Sequence, residues 1–215
     1  SAPSQRFSYV QMGQENSFPW RDQAQAYPKQ MDALAKLVSN KQIILETMGD
    51  SGRRFKKAFK TTPAQAQVQL DDPYGNTESP QTSVWYQSRH YRVNVHLMSG
   101  MAYLRDIFVY RDGHKQPYLD EPTKLSSVEQ RQLAVVDGFH WSPKQGSLTE
   151  KGAGGYLSVD GAEFRPVGRP GISETSTSLS CRLKDEAGRW LQFVFEEDRM
   201  SVSCSGKLEI EFFWD

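Results

Sequence analysis

Cysteine is scarce: Cys181 and Cys204 are the two in 215 residues. A disulfide-stapled scaffold is thereby excluded, because small domains of that kind need several bridges to replace a core. Each thiol shares strand parity with apolar neighbours, Leu179 and Leu183 for one and Met200 and Val202 for the other, so both are expected to face inward. One strand, residues 190–196, lies between them. In a simple meander the two cysteines then sit two strand spacings apart, roughly 9–10 Å, too far to bridge. A disulfide requires a different strand order, which leaves the redox compartment open.

Long apolar runs are missing too. Nothing approaches the ~20 residues needed to cross a bilayer, and the opening SAPSQRF lacks the basic-then-apolar pattern of a signal peptide. A leader removed upstream of this numbering leaves no trace, and with one the expected location is periplasmic or secreted. No charge sign dominates: Lys plus Arg and Asp plus Glu both total 26. No long-range field therefore favours nucleic acid or an anionic membrane, and neither a nucleic-acid partner nor a membrane span is expected.

Ligand-type spacings are absent as well. The four histidines, His90, His96, His114 and His140, form no HxxxH, and no CxxC occurs. His90 and His96 share one strand face but lie about 20 Å apart, too far to hold one metal. There is no GxSxG elbow, and Gly152 to Gly155 lacks the Lys-Ser or Lys-Thr of a phosphate loop. No metal and no cofactor is expected.

What is present is aromatic mass and alternation. The hydrophobic fraction is 37%, yet aromatics reach 12%, so the apolar content is concentrated in large rings suited to β-structure. From about residue 81 onward the chain is short alternating segments. Residues 90–98 place Tyr91, Val93, Val95 and Leu97 on one face, and Ser99-Gly100 turns them back into residues 101–110 as a hairpin. Residues 133–136 and 156–159 read as weaker strands, and Gly152-Ala153-Gly154-Gly155 as irregular. Four strands close the chain over residues 179–214, with inward rows Leu191-Phe193-Phe195 and Leu208-Ile210-Phe212-Trp214. This is antiparallel sandwich material.

The first seventy residues differ in texture. Residues 7–12 alternate; Met31, Leu34, Ala35 and Val38 then recur at helical spacing; and Ile43-Ile44-Leu45 has the look of a strand covered on both faces. A short basic helix follows over residues 53–60 and stops at Thr61-Thr62-Pro63. The expected class is α+β: a βαβα segment over residues 1–70, then a mainly antiparallel β-sandwich over 81–215, with a polar junction around Asp71-Asp72-Pro73-Tyr74-Gly75-Asn76. Two wound units cannot close a barrel alone, so either their partner units lie outside this chain or they pack on the β region.

Glu15 follows the first expected strand, and Glu46 and Asp50 follow the second. Strand carboxyl ends are where wound folds bind ligands, and a carboxylate pair there can serve as general acid and base on a sugar. Helix capping by Asp50 and plain solvation of Glu15 are the simpler readings. Trp20, Trp85, Tyr86 and Trp141, with Tyr110, Tyr118 and Tyr156, sit at loop or strand-end positions where a flat ring can stack on sugar, although most such rings only pack.

The series QMGQENSFPWR, ILETMGDSGRRFKKAF with TTPAQA, and SVWYQSRHYRVNVH with YLRDIFVY resembles bacterial carbohydrate-active proteins in which the last units of a deacetylase-like or glycosidase-like barrel run into a C-terminal β-sandwich. The resemblance spans roughly residues 7–110. It implies that Glu15 and Asp50 face a barrel mouth with Glu46 near the strand end, and that the partner is a polysaccharide or oligosaccharide. The earlier barrel units, with the metal-binding residues of a deacetylase-like domain, have no counterpart here, so any hydrolase or deacetylase activity needs residues outside the chain. Two other expectations stand beside it: a stand-alone carbohydrate-binding or adhesion sandwich, and an interaction domain docked on a separate subunit.

Overall fold

The computed structural model describes residues 2–12, 19–70, 82–98, 100–111, 113, 122, 133–138 and 152–213. It divides into two compact units, Tyr9–Thr61 and a larger one made of Ser1–Ser8 with Thr62–Asp215. The class is α+β, with three described α-helices and twelve described strands.

The smaller unit holds α1 (Trp20–Gln23), α2 (Ala26–Ser39) and α3 (Met48–Ala58). Pro28 sits in the first turn of α2, where backbone N–H groups have no helical acceptor and its missing donor costs nothing. At the other end Gln42 N donates to Leu37 O (2.9 Å) and Lys41 N to Val38 O (2.9 Å), with Lys41 at φ 58. That is a Schellman closure in which a lysine occupies the left-handed position usually given to glycine.

Residues 7–12 and 42–47, expected as parallel strands, contain no strand. The reason is local. Gln42 is consumed by the close of α2 and Thr47 by the N-cap of α3, leaving too few residues for a ladder that needs a partner on each side. Ile43, Ile44 and Leu45 are 36%, 67% and 65% exposed instead. No described apolar side chain of this unit is buried.

The larger unit is two antiparallel sheets. The first runs in the order β1 (Gln65–Gln69), β2 (Thr82–Gln87), β3 (Tyr91–Met98), β4 (Met101–Val109), β6 (Gly154–Val159), β12 (Leu208–Phe213), with β5 (Leu133–Asp137) also paired to β4 and β7 (Ala162–Glu163) to β6. The second runs β11 (Met200–Cys204), β10 (Trp190–Phe195), β9 (Leu179–Lys184), β8 (Gly171–Glu174). Their facing rows make one core: Val84, Tyr86, Val93, Val95 and Leu104 from the first sheet, and Leu179, Cys181, Leu183, Leu191, Phe193 and Phe195 from the second. Tyr86 and Phe195 stack across it at 5.5 Å. The Tyr91 hydroxyl shares its proton between Glu196 O (2.8 Å) and Arg199 O (2.7 Å), tying β3 to the β10–β11 turn.

Strand β1 belongs to the sandwich unit, so the β architecture begins before the polar stretch at residues 71–76, which lies outside the described residues. Gly154 and Gly155, expected as irregular, open β6. Gly155 pairs with Phe212, and a Cβ on it would meet the Phe212 ring at 2.7 Å, so the ring occupies the space that glycine leaves. Both cysteines are free thiols, as the β9-β10-β11 meander requires.

Candidate functional site

Glu46 and Asp50 flank the N-cap of α3, which is Thr47. The Thr47 hydroxyl accepts from Asp50 N (3.2 Å) and donates to Asp50 Oδ2 (2.6 Å), while Arg53 Nη2 donates to Asp50 Oδ1 (2.5 Å). The Thr47 and then the Arg53 hydrogen bonds hold the Asp50 carboxyl below its ordinary range. Glu46 Oε1 accepts from Arg54 Nη2 (2.7 Å), Arg54 Nε (3.0 Å) and Ser51 Oγ (2.8 Å), and these bonds, Arg54 first, lower it likewise. A general acid needs the opposite shift. Glu15 and Trp141 lie outside the described residues.

Trp20 is 60% exposed and meets Tyr27 edge-on at 6.2 Å. Trp85 and Tyr86 are consecutive on β2 and so point to opposite faces. Tyr86 is 0% exposed in the core and can touch no ligand. Trp85 lies on the outward face, with the Arg92 guanidinium 5.9 Å from its ring centroid and 4.2 Å from that of Phe108. Arg92 is bidentate to Asp106 through Nε–Oδ1 (2.8 Å) and Nη2–Oδ2 (2.9 Å). Asn94 Nδ2 donates to Ser83 Oγ at 2.8 Å beside it. Asn94, His96 and Asp106 are all buried, so this cluster is a closed polar layer, not an open platform. His96 packs edge-on against Tyr103, neither ring nitrogen has a hydrogen-bond partner, and burial followed by the nearby Arg105 charge lowers its pKa to about 4.

A cleft of about 390 Å³ opens between Val93, Ile107, Tyr110, Asp198 and Met200. The Tyr91 hydroxyl on its wall is already committed to two carbonyls, so the cleft offers mainly apolar surface.

The outward face of the four-stranded sheet is different. Register sets Gly171, Arg182, Gln192 and Ser203 in one row across it, Ser173, Ser180, Val194 and Ser201 in the next, and Lys184 opposite Trp190 in a third. Arg182, Lys184, Ser173, Ser201 and Ser203 are exposed, and Trp190 and Gln192 are half-buried. The Arg182 guanidinium lies 4.3 Å from the Trp190 ring centroid, and its Nη1 donates a long bond to Gln192 Oε1 (3.5 Å). These rows hold two cations, four serine hydroxyls, one amide and one indole, with no carboxylate. Along β9 and β10 the face stands on a packed floor, since the alternate residues Cys181, Leu183, Leu191, Phe193 and Phe195 are at most 2% exposed.

Arg189 anchors one end of this sheet to the first sheet. It donates N to Asp185 Oδ1 (2.9 Å) and Nε to Asp185 Oδ2 (2.6 Å), and its Nη1 reaches Val159 O (2.7 Å) on β6. Sequence reasoning passed over Trp190 as a strand start. The signal was available: once Leu191, Phe193 and Phe195 are assigned inward, Trp190 and Gln192 must face out, together with the cross-strand Arg182.

Among the described residues no group of three or more His, Cys, Asp or Glu could hold a metal ion, and no helix is long and apolar enough to cross a membrane. No protein-family model, curated protein or solved structure matches this chain.

Proposed function

We propose that this chain is a non-catalytic glycan-binding module of a polysaccharide-processing protein, and that sugar lies on the outward face of the four-stranded sheet. The observation that carries the reading is the Arg182–Trp190–Gln192 group, a half-buried indole with a guanidinium over its ring and an amide near that guanidinium, on a hydroxyl-lined sheet face. Sugars present an apolar C–H face and a rim of hydroxyls. An aromatic ring meets the first, and planar hydrogen-bonding side chains meet the second. Two cations and no carboxylate in these rows favour an acidic polysaccharide over a neutral one. Catalysis finds no support in Asp50, whose oxygens accept from Thr47 and Arg53, or in Glu46, whose Oε1 accepts from Ser51 and Arg54.

Affinity electrophoresis through gels containing neutral or uronate-rich polysaccharides tests this. The chain is expected to be retarded by an acidic polysaccharide, and less so as salt is raised. Trp190→Ala should weaken that retardation about tenfold, equivalent to ~1.4 kcal/mol, while Trp20→Ala and Trp85→Ala leave it unchanged. Absence of retardation in every gel, or retardation indifferent to Trp190→Ala, would refute the proposal.

A further inference from the structure

The second sheet ends on β11, an edge strand that carries no charge and no proline. Ser205 N donates to Trp190 O at 3.0 Å, which fixes the parity of the strand: the backbone groups of Ser201 and Ser203 face β10, and those of Met200, Val202 and Cys204 face away from it. Among the described residues no strand pairs with that side. Edges are ordinarily guarded by charge, proline or a bulge. Elsewhere in this sandwich β8 is preceded by Pro170 and ends on Glu174, and β12 carries Glu209 and Glu211. The five residues Met200-Ser201-Val202-Ser203-Cys204 carry none of these guards.

The inward residues are also left incomplete there. Those of β9 and β10 are at most 2% exposed, whereas Met200, Val202 and Cys204 are half-buried, as are Leu208 and Ile210 that follow on β12.

From this edge we infer that β11 pairs with β11 of a second copy of the chain, antiparallel about a two-fold axis through Val202. The pattern is its own complement. Such a pairing sets Val202 opposite Val202, Met200 opposite Cys204 and Ser201 opposite Ser203, so the apolar row meets an apolar row and the hydroxyl row a hydroxyl row. It also brings Glu197 and Asp198, beside the Glu196–Arg199 ion pair that precedes one β11, towards Lys207, paired with Glu209, after the other. A heterologous strand would satisfy the same backbone groups, but nothing on this edge selects one, whereas every side chain on it matches its own two-fold image. The inference does not depend on glycan binding. It joins two four-stranded sheets into one continuous face with a Trp190 group on each half.

Sedimentation equilibrium over a wide concentration range measures the mass directly. A concentration-dependent rise towards twice the 24.5 kDa chain mass is expected. Val202→Pro should abolish it, because the lost N–H faces outward and among the described residues no intrachain bond depends on it; circular dichroism checks that the variant is folded. The register is read by cross-linking. Met200→Cys should give a disulfide-linked dimer with the native Cys204 of the second copy under mild oxidation, since paired Cα atoms lie about 5.5 Å apart, and adding Cys204→Ser should remove that species. A monomer mass at every concentration, or a cross-link that survives Cys204→Ser, overturns the proposal.

Discussion

His96 makes stability depend on pH in a direction and over a range that the structure sets. Its imidazole is 4% exposed, has no hydrogen-bond partner on either nitrogen, and titrates at about 4 when folded. Unfolded, it returns to about 6.5. Protons therefore bind the unfolded chain first, and the contribution of this site is intact above pH 6.5 and is lost as pH falls from there through 4. For those two values the loss is about 2 kcal/mol between pH 7 and pH 5 and about 3 kcal/mol by pH 4. That is a large part of the 5–15 kcal/mol typical of a domain. Urea denaturation at pH 7, 6 and 5, followed by Trp fluorescence, should show a falling midpoint for the native chain. His96→Leu should remove about 2 kcal/mol of that pH dependence while holding or raising stability at pH 7, because it deletes two unsatisfied buried polar atoms. An equal fall in both proteins would refute the argument and assign the acid sensitivity to other groups.

Two further outcomes follow from particular contacts. Arg189→Ala leaves the Asp185 carboxylate buried without its ion pair and removes the bond to Val159 O, so denaturant unfolding should show a loss of about 3 kcal/mol. Lys41→Gly relieves the left-handed backbone at the close of α2 and should raise the stability of the smaller unit by about 0.5–1 kcal/mol, read as the midpoint of helical circular dichroism.

How far the sequence discloses this molecule depends on whether a pattern is closed by its neighbours or by the whole fold. The β9-β10-β11 meander was legible because each strand alternates cleanly and the turns carry their own residues, Gly188 at φ 77 among them. The same alternation holds the Trp190 face, whose members are legible only as the outward partners of the inward row Leu191-Phe193-Phe195. Ile43-Ile44-Leu45 misled for the opposite reason. An apolar run is the same signal in a buried strand and in an exposed connector, and what separates them is the fate of the flanking residues, here a Schellman closure and a threonine cap.

The cap also explains why Glu46 and Asp50 stand close together without a strand end between them. Thr47 followed three residues later by Asp50 is the spacing of an N-terminal capping pair. Had residues 42–47 formed a parallel strand, the same spacing would have put Asp50 at a strand carboxyl end, where ligands bind. One local choice, helix cap or strand end, thus decides how residues 42–50 fold. The hydrogen bonds made by Thr47, Arg53 and Arg54 decide it for the cap. The outward rows of β8 to β11 depend on none of those residues, and the packed side chains beneath β9 and β10 hold Arg182, Trp190 and Gln192 in place.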